Sequence, residues 1–203
     1  MDEGLLLGRV VLGSLMAAHG AQKLFGWFGG YGVTGTAGFL ENVGFRPGRP
    51  YAIVASVAEI ISGGLVTAGL LGPAGPALMV SVMIVAAVSV HWQHGVFAVK
   101  NGIELPLLYA AGAATLCLAG PGRYSADALF GLTFMWTPAL DWAALALGVA
   151  GAVAALLGRS HEARVSCERP SRLTMAPAPL TASAAQFRAG AHIEASPNTA
   201  SAE

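Results

Sequence analysis

Residues 5–30 read LLLGRVVLGSLMAAHGAQKLFGWFGG. Apolar residues dominate the first two turns and more, and then His19, Gln22 and Lys23 arrive where an apolar helix should still be finishing. Ionisable groups are expensive inside a bilayer, so if this helix crosses one, its polar end marks a working region.

The composition supplies the bilayer. The 203-residue chain is 55% hydrophobic and 11% charged, with a mean hydropathy of +0.62, whereas an ordinary soluble domain is roughly 25% charged. Residues 5–25, 51–71, 74–92, 103–119 and 139–158 each approach the ~20 apolar residues that a helix needs to span ~30 Å of hydrocarbon. Buried helices of a soluble protein would carry a charged face, and the middle three stretches have almost none. The expected fold is therefore an all-α integral membrane protein: a four-helix transmembrane bundle over residues 1–133, a fifth transmembrane helix within 134–158, and a tail over 159–203.

Lys and Arg set the expected orientation, because they accumulate on the cytoplasmic side of short loops. Lys23, Arg46, Arg49, Lys100 and the arginines from Arg159 onward fall on one side, whereas the opposite side holds the acidic Met1-Asp2-Glu3 start and Arg123. This predicts an N-terminus outside and a C-terminus in the cytoplasm. Arg9 lies near the outer end of the first helix, from where it is expected to snorkel to the interface. The acidic start lacks the basic region of a secretory signal, so the first helix is expected to stay as an anchor. After Gly158 the sequence turns to Arg, Ser, Ala and Pro without apolar periodicity, a composition expected to be disordered.

Topology brings polar residues to similar depth. His19 stands about six residues before the inner end of its helix, roughly 9 Å, and Glu59 about eight residues above the same face, roughly 12 Å. His91, Trp92 and His94 close the third stretch on that side, and Glu104 opens the fourth. Glu59 is the sharpest signal, flanked by Val57-Ala58 and Ile60-Ile61. A carboxylate so desolvated needs a facing cation or donor to remain ionised, and His19 or Lys23 is the natural partner. A structural post tying helices together is the competing account of the same residue.

Other motifs carry less. His91 and His94 at i, i+3 could share a face, but without His-Glu-x-x-His or a repeated Glu-x-x-His the pattern weighs against a metal or haem site. Gly30-Tyr31-Gly32-Val33-Thr34-Gly35 matches Gly-x-Gly-x-x-Gly but follows a membrane helix rather than a strand, so a compact interfacial turn is expected, with Phe25, Trp27, Phe28 and Tyr31 at headgroup level. Cys117 and Cys167 fall on different sides of the membrane and offer no internal disulfide. Gly120-Pro121-Gly122 should stop the fourth helix, with Arg123 and Asp127 pairing beyond it. Ala144, Gly148 and Ala152 form a small-residue line suited to close helix packing, within the chain or in a homo-oligomer.

Taken together, His19-Gly20-x-Gln22-Lys23, Phe25-Gly26, Gly29-Gly30 and Gly35-Thr36 resemble the DoxX family of bacterial membrane proteins. Ala58-Glu59 with Gly63-Gly64, His91-Trp92 with Gly95-Val96-Phe97, Gly102-x-Glu104 and Gly120-Pro121-Gly122-Arg123-Tyr124-Ser125-x-Asp127 continue the resemblance to about residue 131. It implies a multi-pass protein of the bacterial cytoplasmic membrane, associated with redox enzymes in handling oxidative and thiol stress, similar to a subunit of a thiosulfate:quinone oxidoreductase. The function expected is that of a quinone-linked oxidoreductase subunit with an inner-leaflet polar pocket. In it Glu59 and His19 exchange protons, and Gln22, Lys23, His91, Trp92 and Glu104 bind the ligand. A quinone is the cofactor class that fits, the lipid bilayer and soluble redox enzymes are the expected partners, and no nucleic acid is expected. The alternative is a non-catalytic membrane scaffold that recruits soluble redox enzymes.

Overall fold

The computed structural model of the protein describes residues 1–159. The expected disorder of the tail lies outside them, except for Arg159. The described residues are helical throughout, without a strand: α1 Asp2–Phe25, α2 Gly32–Asn42, α3 Gly48–Ala68, α4 Ala74–Ala86, α5 Glu104–Ala119, α6 Ala126–Leu129 and α7 Pro138–Leu157. A π-turn at Ala87–His91 and a 3-10 turn at Trp92–His94 carry α4 onward. With that extension, four helices among the described residues are long and apolar enough to cross a membrane: Asp2–Phe25, Gly48–Ala68, Ala74–His94 and Pro138–Leu157. Large apolar side chains such as Leu7, Leu107, Leu108 and Leu147 face outward, as lipid contact requires. The protein is an all-α membrane bundle.

The fourth apolar stretch departs from expectation. It forms a helix of 16 residues, which rises ~24 Å at 1.5 Å per residue and falls short of the ~30 Å layer. Its start is set by compact turns at Trp92–His94 and Ala98–Lys100, and Gly120, at φ 80°, ends it.

Small residues decide the main packing. A Cβ on Gly20 would lie 2.6 Å from the Ser56 carbonyl, and one on Gly63 would lie 2.5 Å from the Gly13 carbonyl, so α1 and α3 cross in backbone contact. Around this crossing Met16, Val66, Met79, Met83, Ala113 and Leu116 form the core shared with α4 and α5. The α7 line is used inside the chain: a Cβ on Gly148 would meet the Ala77 carbonyl of α4 at 2.5 Å, and Ala152 is fully buried.

Three local readings need correction. The glycine segment makes a short turn at Trp27–Gly29 and then a helix of 11 residues, α2. Gly32, Gly35 and Gly38 each oppose helix formation by about 1 kcal/mol relative to Ala, and tertiary contact overrides them: Thr36 is buried against α1 and its hydroxyl donates to the Lys23 carbonyl at 3.2 Å.

The other two lie at the end of the bundle around Arg9. Arg9 does not snorkel: it is 3% exposed and donates from Nη2 to the Tyr124 carbonyl. Asp127 does not pair with Arg123, which is exposed and whose backbone N–H donates to Asp2 at 3.1 Å. Instead Asp127 is fully buried and accepts from Leu71 N (3.0 Å), Gly72 N (2.6 Å) and Trp136 Nε1 (2.8 Å). The carboxylate holds the α3–α4 turn and the segment before α7 together, which a four-residue spacing to Arg123 could not reveal.

Candidate functional site

The α1–α3 crossing places the last turn of α1 against the middle of α3. Lys23 occupies that turn, where a cation also suits the helix dipole. Its Nζ forms an ion pair with Oε1 of Glu59, whose side chain is 1% exposed while that of Lys23 is 39% exposed. α2 fixes the lysine from above through the Thr36 hydrogen bond. Oε2 of Glu59 is buried without a hydrogen-bond partner among the described residues.

Both members of the pair line a cavity of about 320 Å³. Its wall is mostly apolar, with Phe39 and Leu40 from α2, Val54 and Ala58 from α3, Leu78, Val82 and Val85 from α4, and Gly151 and Ala155 from α7. Ser81, Ser89 and Tyr51 add hydroxyls. A largely apolar space of this size with a few convergent polar groups has the character of a small-molecule site.

Residues 4–92 match the family model DoxX. This segment belongs to the DoxX family. No curated protein and no solved structure matches the chain. The DoxX segment includes α1 to α4 and both Lys23 and Glu59. The motif blocks from Gly95 to Asp127 lie beyond it, as do the α7 residues that complete the cavity wall.

Within and beside the DoxX segment, the other expected site residues have local partners. His19 is exposed, its Nδ1 lies 3.2 Å from Gln22 Oε1, and its ring meets Tyr109 edge-on at 6.0 Å. Gln22 donates to the Phe28 carbonyl at 3.3 Å and so braces the turn after α1. His91 Nδ1 lies 2.7 Å from the Asn101 carbonyl, and Glu104 accepts from Ala98 N at 2.7 Å. Trp92 is 71% exposed. None of these five lines the cavity, which keeps Lys23 and Glu59 from the expected set. Sequence reading missed Thr36 and Phe39, because α2 was taken for a turn, and Tyr51, which carried no polar signal beyond opening the second apolar stretch. Phe25, Trp27 and Phe28 are exposed and touch one another after α1, with ring centroids 5.1 Å apart for Phe25 and Trp27 and 6.4 Å for Trp27 and Phe28.

Proposed function

We propose that this protein is the membrane component of a redox system, a quinone-linked oxidoreductase subunit whose cavity takes up a quinone or similar apolar carrier. The observation that carries the reading is the Lys23–Glu59 pair set into the wall of an apolar cavity within a membrane bundle. Quinone chemistry needs proton-exchanging groups within hydrogen-bond reach of the ring oxygens in an otherwise apolar space, and the pair supplies one acid–base group and one cation. Glu59 exchanges the proton, Lys23 balances its charge, and the apolar wall holds the ring and its tail. His19, Gln22, His91 and Glu104 act at one remove, by shaping the turns around the mouth.

The Lys23 end faces the cytoplasm in this reading, supported by Arg46, Arg49 and Lys100 in the connecting segments on the same side. The membrane is then the bacterial cytoplasmic membrane. Soluble redox enzymes are the partners proposed for that face.

Extraction of the purified protein tests the proposal. Quinone should co-purify with the wild type and be lost from a folded Glu59→Gln variant; a quinone-free wild type with unchanged redox behaviour in the variant would sink it. The scaffold reading draws on the same ion pair, since it also ties α1 to α3. It requires Glu59→Gln to lose folding and partner capture together.

A further inference from the structure

The two oxygens of Glu59 are not equivalent. Oε1 is held by Lys23, whereas Oε2 is buried and unpartnered among the described residues. Two hydroxyls of the cavity wall are engaged elsewhere: Thr36 donates to the Lys23 carbonyl and Ser89 to the Val85 carbonyl, at 3.2 and 2.5 Å. A buried acceptor left unmade is costly, more so on a charged group. Lys23, by contrast, carries three N–H donors and spends one on Oε1. The pair lines the cavity and so holds, at its wall, an acceptor unfilled among the described residues beside further donors.

We propose that the cavity selects its ligand by a hydroxyl hydrogen, binding the quinol or a related phenol in preference to the oxidised quinone. This rests on the carrier reading of the same cavity and narrows it. A hydroxyl head group accepts from Lys23 and donates to Oε2 at once. A quinone carbonyl accepts from Lys23 but has no hydrogen for Oε2, and it brings its own lone pairs toward that oxygen. Sites built to hydrogen-bond a hydroxyl discriminate strongly against analogues lacking it, because the site's polar group is then left unpaired. The apolar wall from α2, α4 and α7 is indifferent to the oxidation state, so the discrimination falls on the pair.

Binding of three probes to the full chain in lipid nanodiscs, under anaerobic conditions, tests this: a short-chain ubiquinol, the matching ubiquinone, and the dimethyl ether of the quinol, which accepts hydrogen bonds but donates none. The quinol should bind at least about tenfold more tightly than either of the others. For a two-electron couple, tenfold corresponds to a positive shift of about 30 mV in the potential of the bound ligand. In Glu59→Gln, with Lys23 holding the amide oxygen, an N–H donor replaces the acceptor Oε2, so binding of the quinol should fall to that of the ether or below and its preference should vanish. Equal binding of quinol and ether, or tighter binding of the quinone, would overturn the hydroxyl rule and leave the carrier reading standing. Binding of none of the three would overturn both. The wild-type comparison decides the matter even if the variant fails to fold.

Discussion

Glu59 and Asp127 are buried to the same depth, at 1% and 0% exposure, and their surroundings are opposite. Asp127 accepts three N–H donors shared between both oxygens, two of them from the backbone of the α3–α4 turn. Glu59 has one charged partner, an unpaired oxygen and a 320 Å³ space beside it. A carboxylate that only holds a fold together is saturated by that fold. One left short of partners beside a cavity is what the proposed ligand site requires.

The contrast is open to attack, beginning with its structural member. Asp127→Ala should be the most damaging substitution, because it strands backbone donors at Leu71 and Gly72 as well as the Trp136 indole. A loss of about 3 kcal/mol or more is expected, and thermal unfolding in detergent would show it. A shift below about 1 kcal/mol would mean that Asp127 is no more structural than Glu59.

Next comes the helix crossing. Gly20→Val pushes a side chain into the Ser56 carbonyl and Ile60, at a cost of roughly 1–3 kcal/mol from overpacking. It should also part Lys23 from Glu59, so ligand binding should fall along with stability.

Glu59→Gln keeps the side chain's volume and one hydrogen bond to Lys23. Its stability should stay within about 1–2 kcal/mol of wild type while ligand is lost, the reverse of the pattern at Asp127. Loss of stability as large as that of Asp127→Ala would collapse the distinction. His19→Ala should do least, within about 0.5–1 kcal/mol, with ligand retained. Ligand lost from that variant would return His19 to the site.

Much of this was legible in the chain. The apolar lengths forecast a membrane bundle, Glu59 stood out by its isolation, and Lys23 was one of two partners that helix depth allowed. In the small-residue line of α7, Gly148 packs on α4 and Ala152 is fully buried, as close helix packing requires. What failed to read depends on distant residues. Asp127 meets donors more than fifty positions away, in a turn whose conformation exists only after α3 and α4 have packed. α2 forms against its glycines because Thr36 and the α1 backbone reward it. His19, Gln22, His91 and Glu104 were placed by depth along a helix axis, which fixes height but not which way a side chain turns. Their rotation sends them to neighbouring carbonyls, amides and rings instead of the cavity.

Gly151 and Ala155 of α7 stand on the cavity wall but outside the stretch that matches the DoxX family. Larger or smaller residues there would change the length and girth of guest the cavity admits, without disturbing the charge pair opposite. If the proposed carrier binds there, recognition of its tail and handling of its head group are encoded in separable parts of the chain, so the range of guests could be retuned by evolution or by design without touching the charge pair.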